Sequence, residues 1–208
     1  MNASHPAFGQ AKPRPYHHGD LRAALLEAAE AELTESGIES FSLRAVAKRA
    51  GVSHAAPAHH FGDAKGLLTA LTAEGFRRFL ATQHAREAKA SPDARSQLLA
   101  AGLGYIDFAL GSPALYRLMF SSKRPDFRSD ELDRAARAAY RHLTEQVAAV
   151  GGAVRADGTP TEDVAAVWVA AHGLADLILS RPMAGIAALP EAERDAFFLG
   201  VIGRALPD

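Results

Sequence analysis

Apolar residues recur along this chain at the spacing of a helix face almost from end to end. Leu21, Leu25, Ala28, Ala29 and Leu33 form a first stripe behind Asp20, a capping residue, and Gly37 is placed to end it with Ile38 folding back on Leu33. The second helix is punctuated more sharply. Ser42 is its N-cap, Phe41 before the cap and Val46 four residues after it make a hydrophobic staple, and Leu43, Val46, Ala47 and Ala50 form the inner face before Gly51 stops it. Only Val52 intervenes before Ser53, the expected cap of a short third helix that runs to His60 or Phe61, with Pro57 at the limit of its first turn. Helices joined by so tight a glycine turn cross steeply, with Val52 plugged between them; this is helix-turn-helix geometry.

The same periodicity continues. Asp63 caps a long helix to about Arg86 bearing Leu67, Leu68, Leu71, Phe76 and Phe79, and Ser91 before Pro92 starts another that runs to Gly111. Pro113 opens "PALYRLMFSS", Ser129 begins a helix ending near Gly151 and Gly152, and "VRADGTP" is the one long polar loop. Thr161 with Glu162 and Asp163 starts "VAAVWVAAHGLADLILS", and Pro190 opens the last helix. No strand pattern of useful length occurs, so the fold class predicted is all-α with about nine helices. The divisions expected are a loose tail over 1–16, a helix-turn-helix unit over 17–62 and a helical body over 63–208, connected by the helix at 63–86.

Composition adds mostly exclusions. With 208 residues, 48% of them apolar, the chain can bury a sizeable core. It has no cysteine, which excludes disulfides, thiolate metal sites and a cysteine nucleophile and fits a reducing, cytoplasmic setting. The N-terminal stretch lacks the succession of a secretory signal, and the most apolar run, Val164 to Leu179, is broken by His172 and Asp176, so no membrane association is expected. The formal net charge of −1 does not point to nucleic acid by itself. Up to residue 80 the charges sum to +1, however, and six of the nine histidines lie there. A small basic surface can exist on a neutral chain.

Three histidines crowd the third helix. His59 and His60 are adjacent and point about 100° apart, while His54 and His59 stand at a poor chelating interval, so no metal site and no cofactor is expected there. A duplex is the better partner. The first turn of a helix offers unpaired N–H groups to phosphate, Ala55 and Ala56 let the backbone approach DNA, and His54, His59 and His60 are placed to meet bases or phosphates. Ser42 and Arg44 would fix the preceding helix across the backbone, with Ser53 heading the reading segment. Residue by residue, alanine as helix former and Arg44 as a solvated charge are the ordinary explanations. The combination of cap, staple, glycine turn and short helix is what carries the reading.

Residues 17–68, "HHGDLRAALLEAAEAELTESGIESFSLRAVAKRAGVSHAAPAHHFGDAKGLL", resemble the N-terminal domain of the tetracycline-repressor (TetR) family. The family's recognition segment runs Gly-Val-Ser, a variable residue, small-small-Leu-Tyr and then His-Phe; here it reads Gly51, Val52, Ser53, His54, Ala55, Ala56, Pro57, Ala58, then His60 and Phe61. Ala58 stands where the family's phosphate-contacting Tyr is usual and Pro57 where Leu is, and the lysine at the start of the fourth helix is displaced to Lys65. Anchoring would then fall to His59, Lys65 and, ahead of the first helix, Tyr16 and His17. The resemblance implies a homodimeric, ligand-responsive transcription factor, usually a repressor, on a palindromic operator.

The second half resembles the family's C-terminal domain with a Trp-His-Gly signature, here Trp168, His172 and Gly173, beside "SPALYRLMF". Trp168 and His172 share a helix face, and Gly173 would permit close approach of another helix. Tyr105, Phe108, Tyr116, Met119, Phe120, Trp168 and His172 are candidate contacts for a small-molecule effector, although such residues are more often packed core, and both readings stand. By resemblance the last two helices pair with a second subunit, through Val164, Val167, Ala171, Leu174 and Ile178 on one and Phe197, Phe198 and Val201 on the other. Two alternatives remain: a DNA-binding protein with a filled, effector-blind body, and a small helical enzyme using His172 with Asp176 as an oriented base.

Overall fold

The computed structural model describes residues 21–207; the expected tail, Tyr16, His17 and the Asp20 cap lie outside the described residues. Among these the chain is all-α, with ten α-helices: α1 Leu21–Ser40, α2 Leu43–Ala50, α3 Ala56–Phe61, α4 Ala64–Glu87, α5 Ala94–Gly111, α6 Pro113–Phe120, α7 Asp130–Ala149, α8 Glu162–Leu179, α9 Ala184–Ala187 and α10 Glu191–Ile202. A 3₁₀ turn, Gly203–Ala205, closes the last helix. The helix beyond the expected nine is α9. Its four residues form a single turn, too short for a stripe of its own.

Local chemistry explains most of the boundaries. Gly37 takes φ +74° and breaks the regular backbone of α1 where a stop is expected. Ser42 accepts from the Ala45 N–H, Phe41 and Val46 are buried as the staple requires, and Gly51 adopts the left-handed conformation that ends α2. Val52 N–H then reaches back to the Ala47 carbonyl at 3.1 Å. Asp63 caps α4 by accepting from Gly66 N–H at 2.8 Å, and Thr161 caps α8.

Two expected caps are displaced. The helix α5 is capped by Asp93, which accepts from Ser96 N–H at 2.9 Å, and not by Ser91; Asp93 stands after Pro92, at the true turn into the helix. The helix α3 begins at Ala56, and Ser53 does not cap it. A helix capped by Ser53 needs the N–H of residue 57 to reach the Ser53 carbonyl, and Pro57 has none. Ala56 N–H makes a tight turn to Ser53 O at 3.0 Å instead, and Pro57 lies buried in the first helical turn.

A continuous apolar core runs through the molecule. Leu25, Ala29 and Leu33 of α1 and Val46 of α2 meet Leu67, Leu68 and Leu71 at the start of α4, and the same helix carries Phe76 and Phe79 into the body against α5 and α6. At 24 residues α4 is about 36 Å long, enough to serve both regions. It packs hardest on α5 at Gly104, where a Cβ would stand 2.5 Å from Gln83 Cα. Within the chain no helix approaches closely at Gly173, where nothing lies within 4 Å of a Cβ.

Polar ties join α1 and α4 to α7 and the loop before it, and so the head (α1–α3) to the body. Glu131 accepts from Arg22 of α1 at 3.0 Å and from Arg77 of α4 at 2.5 Å. Lys65 pairs with Asp126 at 3.1 Å, and Arg124 donates to the Ile38 carbonyl at 3.0 Å.

The expected seam of α8 is turned inward. Val164, Val167, Ala171, Leu174 and Ile178 are all buried in the chain's own core, as is Phe198. That apolar face is consumed in closing the body, leaving an outer face of Ala166, Val169, Gly173 and Leu177, with Val169 69% exposed. On α10, Ala196 and Gly200 are exposed, while Phe197 and Val201 are half-buried. Among the described residues no single helix is long and apolar enough to cross a membrane.

Candidate nucleic-acid interface and ligand cavity

At the head, most residues expected to meet DNA are exposed, and His60 also lines a pocket with Arg22, Lys65, Asp126 and Glu131 where the head meets the body. Ser42 and Arg44 at the start of α2, Ser53, His54 and Ala55 in the turn, and His59 and His60 on α3 are all exposed, with Ala56 half-buried among them. Beneath them Val46, Ala47 and Pro57 are buried, so the turn is held from below by the core that α2 and α3 share. Arg44 and Lys48 are exposed and, among the described residues, in no ion pair, whereas Arg49 is held by Glu35 at 2.5 Å and Glu32 at 3.3 Å. Lys65 is exposed but already paired with Asp126, whose carboxyl is held well below its usual range by Arg128 and then Lys65. Ala58, in the place of the family's tyrosine, is exposed and offers no hydrogen bond.

The body holds a cavity of about 740 Å³ between α4, α5, α6, α7 and α8, open to solvent on the side of Phe127 and Val169. Five of the seven residues expected there line it: Tyr105, Met119, Phe120, Trp168 and His172. Phe108 and Tyr116 stand behind the wall. Phe108 packs edge-on to Phe79 at 5.5 Å, and Tyr116 is fully buried with its hydroxyl 3.0 Å from His172 Nδ1. Phe79 stands edge-to-face with Tyr105 and Phe120 as well, so a nest of rings fixes the floor.

A polar cluster breaks this apolar wall. Tyr105 Oη lies 2.7 Å from the same His172 Nδ1. Burial, then the neighbouring Tyr116, holds the Tyr105 phenol far above its ordinary range, and burial pushes Tyr116 up to about 12. Both phenols therefore keep their protons at neutral pH. Burial also lowers the His172 pKa, which favours a neutral ring whose Nδ1 accepts. One Nδ1 lone pair cannot fully serve two donors, but the two phenols also hydrogen-bond each other, so Tyr105, Tyr116 and His172 form one connected cluster with Tyr105 on the cavity wall. Asp176, by contrast, is exposed and makes no hydrogen bond to His172 among the described residues. The pairing an oriented base needs is missing here.

Gln83, Arg137, Tyr140 and Gln146 also line the cavity and were not expected. The Tyr140 hydroxyl is buried with no hydrogen-bond partner among the described residues, and burial raises its pKa. One signal was available: Ala136, Tyr140, Leu143 and Val147 follow helical spacing along an otherwise polar α7, marking its inner face.

An exposed helix-turn-helix fused through one long helix to a hollow helical body defines a class of two-part regulatory proteins. Residues 25–71 match the family model described as bacterial regulatory proteins, tetR family, and residues 98–202 match the tetracyclin repressor-like C-terminal domain. The chain belongs to the TetR family of bacterial transcriptional regulators. Its C-terminal match encloses Trp168, His172 and Gly173.

Among relatives, the HTH-type transcriptional regulator BetI of Burkholderia ambifaria is 37% identical over 79 residues, 38% of this chain and 41% of that protein. The alignment thus spans less than half the length of these curated relatives. A solved protein of unknown function from Rhodococcus sp. RHA1 is 32% identical, with TM-score 0.74, over 94% of this chain and 100% of that one. A TetR family regulator from Marinobacter aquaeolei VT8 shares the fold at TM-score 0.70 and 18% identity, over 91% and 97% of the two chains.

Proposed function

We propose that the chain is a cytoplasmic, homodimeric repressor that binds a palindromic operator through the head and leaves it when the cavity fills. The reading rests above all on one juxtaposition: an exposed α2–turn–α3 surface built on the same helix, α4, that lines a large cavity. Ser42, Arg44, Ser53, His54, Ala55, Ala56, His59 and His60 meet the duplex, with Lys65 joining if it leaves Asp126. Tyr16 and His17 complete the anchor.

Dimerisation uses the outer faces of the last long helices. Val169 and Leu177 are exposed there, nothing lies within 4 Å of a Cβ at Gly173 or Gly200, and Val169 and Gly173 also line the cavity, so a partner helix seated on this face would cover its mouth. Two heads then present their reading turns to half-sites about 34 Å apart or somewhat more.

The effector is an uncharged, ring-bearing molecule with a hydrogen-bond acceptor. Aromatic and aliphatic side chains make most of the wall, no carboxylate lines it, its one guanidinium, Arg137, is held by Asp133 at 2.7 Å, and the Tyr140 hydroxyl is a buried donor with no acceptor among the described residues. A volume of about 740 Å³ suits a drug-sized ligand. The open volume also counts against a filled, effector-blind body.

The test is footprinting of the full chain on the intergenic DNA beside its gene, repeated over a salt series. Two protected half-sites related by dyad symmetry, with affinity falling steeply as salt rises, are expected. Binding without sequence preference, or no binding, contradicts the reading.

A further inference from the structure

On the far side of the body from the reading head, α4 and α7 bring together three metal-ligating side chains. His84 and Glu87 are one turn apart on α4, and His142 faces them from α7; their ligand atoms all lie within 4.8 Å of one another. His142 Nε2 donates to Glu87 Oε1 at 2.7 Å, His84 Nε2 stands 4.0 Å from Glu87 Oε2, and the two imidazoles meet edge-to-face at 4.7 Å.

We infer that His84, Glu87 and His142 form a binding site for a divalent transition-metal ion of the zinc type, which fastens α4 to α7. Two imidazoles and one carboxylate with a fourth position open are a zinc donor set. Tetrahedral zinc ligands stand about 3.4 Å apart at bond lengths near 2.1 Å, so His142 and Glu87 open slightly from 2.7 Å while His84, 55% exposed, closes from 4.0 Å.

The surroundings favour an ion. The Glu87 carboxylate is only 9% exposed, and among the described residues its ion-pair partners are the two imidazoles alone, with no lysine or arginine. A buried carboxylate without a lysine or arginine beside it is a ready partner for a divalent cation. Gln146 Nε2 donates to Glu87 Oε1 at 3.0 Å, a hydrogen bond that fixes the direction of the ligating carboxylate. The proton now joining His142 Nε2 to Glu87 passes to Nδ1 or to solvent when the metal takes its place. Spacing along the chain hides the site, since His142 stands 55 residues beyond Glu87.

The full chain, stripped with EDTA, is titrated with Zn²⁺ by calorimetry and thermal melting, and with Co²⁺ by visible absorption. One Zn²⁺ per chain, a raised Tm and d–d bands of low-symmetry Co²⁺ are expected. His84→Ala and His142→Ala weaken binding at least about tenfold, and Gln146→Ala about tenfold. The double variant His17→Ala/His18→Ala, which removes another pair of histidines, keeps the stoichiometry. Because His84 is exposed, its replacement leaves the core intact and isolates ligation from folding. No Zn²⁺ binding by the wild type, or unchanged affinity in folded His84→Ala, overturns the site.

Discussion

The head and the cavity are built by opposite means. In the head, every element that positions the reading surface lies within some forty residues, and each is punctuated by its own chemistry: the Ser42 cap, the Phe41–Val46 staple, the Gly51 stop and the Asp63 cap. The cavity draws Gln83 from α4, Tyr105 from α5, Phe120 from α6, Tyr140 from α7 and His172 from α8. Its shape follows from how the helices cross, and no one segment encodes that. Local punctuation specifies a surface, whereas tertiary packing specifies a hollow.

The largest effect is expected from Ala55→Glu, which sets a carboxylate on the surface proposed to meet phosphate. Operator affinity should drop by at least about 100-fold while cavity-ligand binding is unchanged, as read by fluorescence anisotropy and thermal shift. Loss of both would mean that the two regions are not separable.

Next is Gly104→Ala, which strikes the body alone. Its Cβ would stand 2.5 Å from Gln83 Cα and 2.8 Å from Thr82 O, backbone atoms that cannot swing aside. A cost of about 3 kcal/mol is expected in denaturant unfolding.

A smaller effect concerns pH. The folded His172 has a pKa below its unfolded value of 6.5, so the unfolded chain binds the proton first as pH falls. Its contribution to stability is complete above pH 6.5 and is lost as pH descends from there toward the lowered folded value. His172→Gln should flatten that part of the Tm–pH curve; an unaltered curve contradicts the assignment.

The smallest is Pro57→Leu. Restoring the N–H lets residue 57 bond to Ser53 O, extending α3 toward its expected cap, with a gain of about 1 kcal/mol if the buried side chain is accommodated. Unchanged stability would mean that the proline does not set where α3 begins.

What the sequence made legible follows the same division. The all-α class, the long α4 and the helix-turn-helix were readable, because caps, staples and periodicity act over a few residues. The start of α3 was misjudged through the effect of one missing N–H, and α9 is too short to leave a stripe. The inner face of α8 was assigned to a partner subunit, since apolarity by itself does not reveal whether a stripe meets its own chain or another. Tyr140 escaped notice although its stripe was visible, because a single tyrosine on a polar helix becomes informative only once α7 is seen against α8, where Trp168 meets it at 6.0 Å.

The central claim is that occupancy of the cavity and grip on DNA are coupled through α4. It is tested most directly by measuring operator affinity with the cavity empty and then saturated by a ligand that raises the Tm of wild type but not of Ala101→Phe, in which the cavity is filled. A drop of about 5- to 150-fold in wild type, absent in Ala101→Phe, is predicted. Equal affinity in the two states would contradict the account.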